Sequence, residues 1–247
     1  MRGILPGRTL HGRIRHMGRQ PRTERPGELL NPFLRDAVAA IRPLFPGPIT
    51  YAAIPSERVD WRPFDIAGLN HYWNRHVADR YLEILDRLRP ENKPVVVSEF
   101  GVRTRTGADQ TGGEGPENVT AATVALHLIP GVRRLTIGPA QPAGPISLAA
   151  RRLVRPRVRT VHERNEAHQA QALVRQLTTL DSAGVDGAFI HTFVSPSDVH
   201  GDSPRFDLDT DSFALVKPLH FGRRGTTYPD LGWEPKESFH AVAAYYA

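Results

Sequence analysis

The stretch that most limits what this chain can fold into is Lys93-Pro94-Val95-Val96-Val97-Ser98-Glu99-Phe100-Gly101. A short apolar run, opened by a proline and rich in β-branched residues, reads as a buried parallel strand. Side chains alternate along a strand, so Val95, Val97 and Glu99 share one face and the carboxylate falls at the carboxyl end. Enzymes of the α/β class keep their chemistry at that end of the strands. Glu99 then has two readings: a reactive carboxylate, or a strand-end residue paired with an arginine of the next loop.

The chain has 247 residues, 40% hydrophobic and 23% charged, enough core for one large domain or two small ones. It contains no apolar run of membrane-spanning length, and Met1-Arg2-Gly3-Ile4-Leu5-Pro6-Gly7 has no apolar stretch of signal-peptide length. A cytoplasmic chain without membrane contact is expected. The absence of cysteine excludes disulfides, thiolate nucleophiles and cysteine-held metals.

The net charge of +6 is local in origin. Between Asn118 and His162 there is no Asp or Glu, while Arg133, Arg134, Arg151, Arg152, Arg155, Arg157 and Arg159 lie there. The stretch also lacks Phe, Tyr and Trp, so it has none of the stacking residues that single-strand binders interleave with cations. Nucleic acid is disfavoured as a partner, and the segment reads as a solvated or disordered basic insert.

Residues 1–29 are rich in Arg, Pro and Gly without a sustained period and read as irregular. Asn31-Pro32 opens a helix with Leu34, Val38 and Ile41 on one face and Asn31 placed to cap it. Ile49 to Ala53 and Phe64 to Trp73 read as strands, the second ending in Asn70, His71, Tyr72 and Trp73. A helix with Val77, Tyr81, Ile84, Leu85 and Leu88 inward leads to the Glu99 strand, a crossover that is right-handed by default. A further helix from Glu163 to Ala183 buries Ala167, Ala170, Leu173, Val174, Leu177 and Leu180 and stops at Gly184. Val185 to Val194 is a fourth strand. The acidic loop Asp198 to Asp211 reads either as a cation site or as turn residues with one or two ion pairs; it lacks the ligand spacing of an EF-hand, which favours turns. Glu237 to Ala247 closes the chain as a helix with Phe239, Val242, Ala243 and Tyr246 inward.

This order of elements around Glu99 resembles the second half of a (β/α)8 barrel glycoside hydrolase of the clan holding cellulases, mannanases and β-galactosidases. The set Tyr51, Glu57, Val59-Asp60-Trp61, Phe64-Asp65-Ile66, Ser98-Glu99-Phe100-Gly101, Asp186-Gly187-Ala188-Phe189, Asp207-Leu208-Asp209 and Trp233-Glu234-Pro235-Lys236 further resembles uncharacterised bacterial hydrolase-like proteins, some labelled abortive infection proteins. The fold implied is α/β: the C-terminal half of a TIM barrel, strands five to eight, spanning 30–247 and interrupted by the basic insert 118–162. The resemblance implies that Glu99 is the nucleophile of a retaining hydrolysis and that Tyr72 hydrogen-bonds it and keeps it ionised. Asn70, Trp73, Trp61 and His191 would face the sugar, aromatic rings suiting the apolar side of a pyranose. A carbohydrate substrate is implied, with no cofactor and no metal.

A retaining glycosidase uses a second carboxyl group about 5–5.5 Å from the nucleophile. Clan members place it in an Asn-Glu pair ending strand four. Asn165-Glu166 lies instead in a polar helical turn with no strand before it, so it does not fit that role. The family-like segment after the strand-four glutamate resembles Gly3-Ile4-Leu5-Pro6-Gly7, which puts the acid before Met1. The expectation is therefore a chain lacking strands one to four, through truncation or a late start, since a full barrel takes about 250 residues. The insert is either a variable loop or the trace of a compensated frameshift. A half barrel with two open sheet edges would be marginal alone and prone to form a homodimer. Function divides between a glycoside hydrolase domain, weak or inactive as written, and a non-catalytic carbohydrate-binding or basic interaction protein.

Overall fold

The structure is a computed structural model that describes residues 26–113, 119–120, 156–220 and 222–247. The irregular start and the arginine-rich middle of the insert, residues 121–155, lie outside the described residues.

The fold is α/β with a parallel sheet. In chain order the elements are α1 (Pro26–Ile41), β1 (Ala52–Ala53), β2 (Ala67–Asn70), α2 (Tyr81–Leu88), β3 (Val95–Phe100), β4 (Val119–Thr120), β5 (Arg157–Val158), α3 (Glu166–Ser182), β6 (Gly187–Ile190), β7 (Val216–Pro218), β8 (Trp233–Pro235) and α4 (Glu237–Tyr245). The main sheet has the order β1-β2-β3-β6. β1 and β2 are parallel, with Ala52 opposite Gly68. Beside β3, Asp186 N–H donates to Val95 O and His191 N–H to Phe100 O, a pairing that advances in the same sense on both strands. Strands that follow one another in the main sheet are thus neighbours, with a helix in the connection from β2 to β3 and in that from β3 to β6.

The chain divides into two compact units. The first takes the described residues of Met1–His71, with Leu82–Ser98 and Val185–Gly187. Ala67, Leu69, Leu85, Val95 and Val97 are buried in it, together with Phe64 and Ala53. The expected alternation of β3 is present: Val95 and Val97 are buried while Val96 and Ser98 are partly exposed. α1 begins at Pro26, five residues before the expected cap. Asn31 does not cap it; its side chain donates to Arg58 O at 3.2 Å and accepts from Asp60 N at 2.9 Å. Proline suits a first helical position because its missing N–H would be unsatisfied there anyway. Leu34 and Val38 face inward as expected, but Ile41 is 44% exposed.

The second unit takes Tyr72–Tyr81, the described residues of Glu99–Gly184, and Ala188–Ala247. α3 is capped by the Asn165 side chain, which accepts from His168 N, and ends before Gly184 at φ +62°. Its buried face holds Ala170, Leu173, Leu177 and Leu180 as expected, while Ala167 and Val174 are only partly buried. Gln169, Ala172 and Gln176 are buried as well. Gln169 is accommodated because its amide donates to Val102 O and Ala214 O and its carbonyl accepts from Thr104 and Ser238. A buried polar group fully bonded costs little. The ends of the insert are joined, β4 pairing antiparallel with β5. α4 departs from expectation: Ser238 is its buried residue, whereas Tyr246 is 65% exposed and Ala243 exposed.

Candidate functional site

Glu99 is the fifth residue of β3, and its side chain is 34% exposed. The Tyr72 hydroxyl donates to Glu99 Oε1 at 2.5 Å. His191, just past β6, brings Nδ1 to 3.2 Å from the Tyr72 oxygen and 3.8 Å from Glu99 Oε1. A phenol has one hydrogen, and here it goes to Glu99; the His191 contact therefore needs Nδ1–H to donate to the Tyr72 oxygen. Burial pushes the Tyr72 hydroxyl well above its ordinary range, and the bond to Glu99 and its charge push it further. Tyr72 thus stays a protonated donor at any physiological pH.

Two residues that the sequence reading did not select hold these rings. Phe213 meets the Tyr72 ring edge-on at 5.6 Å and the His191 ring at 5.7 Å. The Arg103 guanidinium lies 4.5 Å over Phe213 and donates to Gly112 O at 3.0 Å, with Asp211 3.8 Å away. The only available signal was position, Arg103 following the Glu99 strand and Phe213 following the acidic loop. Close approach matters at Gly101, where a Cβ would overlap the carbonyl of His191.

The other residues singled out have partners of their own. Asn70 accepts from the Ser98 hydroxyl at 2.9 Å within the first unit. Trp73 packs against Tyr81 with ring centroids 5.0 Å apart. Trp61 is 9% exposed and sits edge-on to Phe64, so it serves the core. Of the six residues singled out, Glu99, Tyr72 and His191 come together.

The acidic loop is a set of ion pairs. Asp207 and Asp209 both bind Arg164, at 3.0 and 2.9 Å, and Asp211 binds Arg105 at 2.9 Å. Asp209 also meets Lys236 at 2.8 Å, both side chains fully buried. Lys236 donates further to Thr104 and Ser212, and burial pulls its pKa down to about 8 against the attraction of Asp209. Glu166 pairs with Arg164 and Lys217, a structural role for the Asn165-Glu166 pair. Among the described residues no group of three or more His, Asp or Glu side chains is placed to hold a metal. Among them, too, no helix is long and apolar enough to cross a membrane.

No family model matches the chain, and no curated protein matches it. Among solved structures it is similar to a GH113 β-1,4-mannanase in a complex, with TM-score 0.48 and 15% identity over 86% of this chain and 50% of the other. A second GH113 β-1,4-mannanase structure gives TM-score 0.46 and 15% identity over 86% and 50%. The GH113 β-mannanase of Alicyclobacillus acidocaldarius in complex with ManMIm gives 0.44 and 13% over 86% and 49%. The chain spans about half the length of the solved structures it matches.

Proposed function

We propose that this chain is a glycoside hydrolase-like domain, part of a (β/α)8 barrel, with Glu99 as the nucleophile of a retaining reaction on a β-linked sugar. The observation that carries the reading is the 2.5 Å bond from Tyr72 to Glu99 at the carboxyl end of a parallel strand. In this reaction Glu99 attacks the anomeric carbon, the bond to the leaving oxygen breaks, and a covalent glycosyl-enzyme forms. Tyr72 donates to the attacking carboxylate and orients it, and His191 orients Tyr72 through Nδ1–H. The finer likeness to abortive infection-labelled hydrolases rests on the sequence motifs alone. The reaction uses a second carboxyl group as well, which protonates the leaving oxygen.

A test that bypasses the second carboxyl group uses a leaving group that needs no proton. Dinitrophenyl 2-deoxy-2-fluoro-β-glycosides of mannose and glucose expel dinitrophenolate with its electron pair and leave the sugar on the nucleophile. Intact mass and peptide mapping are expected to find the sugar on Glu99, and Glu99→Gln to remain unlabelled. Labelling at another residue, or equal labelling of the variant, would remove Glu99 from the role.

A further inference from the structure

We infer that Arg103 and the Gly112–Gly113 turn clamp the Tyr72 ring and fix the direction in which its hydroxyl meets Glu99, which makes Arg103 a positioning residue for the reaction. The part that concerns the reaction rests on the glycosidase reading above; the clamp itself does not.

Two separate pieces of the chain support the Tyr72 ring. Phe213 meets it edge-on at 5.6 Å. Backbone forms the other support: a Cβ built on Gly113 would lie 3.1 Å from Cγ and Cδ2 of Tyr72 and 3.3 Å from Cε2. Three atoms of one ring at nearly equal distance place this glycine directly against the ring, closer than side-chain carbons ordinarily pack. Gly112 brings the chain there. Its φ of +55° suits glycine, and a Cβ on it would lie 2.5 Å from the Trp73 carbonyl oxygen, so the turn also packs on the backbone next to Tyr72.

Arg103 joins the two supports. Its guanidinium lies 4.5 Å over the Phe213 ring and donates to Gly112 O at 3.0 Å. The side chain is 11% exposed, and Asp211 Oδ1 at 3.8 Å gives it a counter-charge. A planar guanidinium can cover an aromatic ring and donate to a carbonyl at the same time, which the compact ammonium of lysine does less well. Loss of Arg103 would therefore loosen Phe213 and Gly112 together.

The start of the turn has anchors of its own. Arg75 N–H donates to Gln110 O at 3.0 Å, and His168 Nε2 lies 2.9 Å from Asp109 Oδ1. What Arg103 governs is thus the end of the turn that touches Tyr72. Small displacements of a positioned group are costly to a reaction, about 100-fold in rate for roughly 1 Å.

The test reads the Tyr72 ring directly, by NMR of the full chain made with tyrosine isotopically labelled at Cζ. The chain has six tyrosines, and Tyr72→Phe identifies the signal of Tyr72 by removing it. Arg103→Met and Gly113→Ala are each expected to move that signal more than any other tyrosine signal. They are also expected to slow fluoroglycoside labelling of Glu99 at saturating reagent, roughly 10- to 100-fold and 3- to 10-fold. Arg103→Lys is expected to slow it less than Arg103→Met. A Tyr72 signal unmoved in both variants overturns the clamp. A moved signal with labelling at the wild-type rate overturns the part Arg103 has in the reaction. If Arg103→Met does not fold, Arg103→Lys stands beside Gly113→Ala under the same criteria. A wild-type chain that takes no label removes the glycosidase reading and with it the role of Arg103 in that reaction, while the Tyr72 signal still decides the clamp.

Discussion

The Tyr72 hydroxyl and the Glu99 carboxylate lie 2.5 Å apart, and burial together with the Glu99 charge keeps the proton on the tyrosine. A hydrogen bond to a charged group is worth about 1.5–3 kcal/mol. Tyr72→Phe is therefore expected to slow fluoroglycoside labelling by roughly 10- to 100-fold while leaving the fold intact. Stopped-flow release of dinitrophenolate measures it, and an unchanged rate would remove Tyr72 from the reaction.

Phe213 stands between Arg103 and the two rings that reach Glu99. Truncating it opens space under both rings. Phe213→Ala is expected to cost about 2–3 kcal/mol in stability, less than for a fully buried phenylalanine, and to slow labelling as Tyr72 and His191 lose their seat. Urea denaturation and labelling rate are read on the same preparation; a stability loss without a rate change would confine Phe213 to packing.

Lys236 and Asp209 form a fully buried pair. Removing one member of such a pair leaves the other charge uncompensated, at about 3–5 kcal/mol. Lys236→Ala is expected to lose that much stability. Replacing both residues, Lys236→Met with Asp209→Leu, is expected to recover part of it, and a double-mutant cycle by urea denaturation gives the coupling.

Asp207 provides a pH signature. Burial works against its charge, but hydrogen bonds from His200 and Thr210 and the attraction of Arg164 prevail and hold its pKa at about 2, below the ordinary 3.8. The folded state thus favours the carboxylate, so this stabilisation is complete above pH 3.8 and is lost as pH falls toward 2. Asp207→Asn is expected to be less stable at neutral pH and to show a shallower fall of stability between those pH values, measured by denaturant titrations at each pH.

Among the described residues, β1 and β6 end the strand order of the main sheet. Phe189 on β6 is 61% exposed. Open edges with apolar residues favour pairing with another chain, and charge on an edge discourages it. The chain is expected to run as a dimer in light scattering at micromolar concentration, and Phe189→Lys to shift it toward monomer.

What could be read from the sequence was what periodicity encodes. Alternation placed Val95 and Val97 inside and Glu99 at the strand end, and the 3.6-residue period found Leu173, Leu177 and Leu180 on α3. Buried polar residues escaped that logic: Gln169 and Lys236 are interior because their hydrogen-bond partners arrive from distant parts of the chain, which no local pattern records. Trp61 is 9% exposed because Phe64, three residues on, gives it a partner that no helical or strand period marks. Phe213 and Arg103 were invisible because their role lies in whom they touch. The capping site of α1 was misplaced because Asn31 bonds a segment nearly thirty residues away.

Gly101 has room for a hydrogen and nothing larger, because a Cβ there would overlap the His191 carbonyl. One methyl group on this residue would push the two backbones apart and carry the imidazole off Tyr72. In a random mutagenesis library, position 101 should therefore behave as an all-or-nothing site, with alanine as damaging as tryptophan, although it bears no functional group and takes no part in any proton transfer.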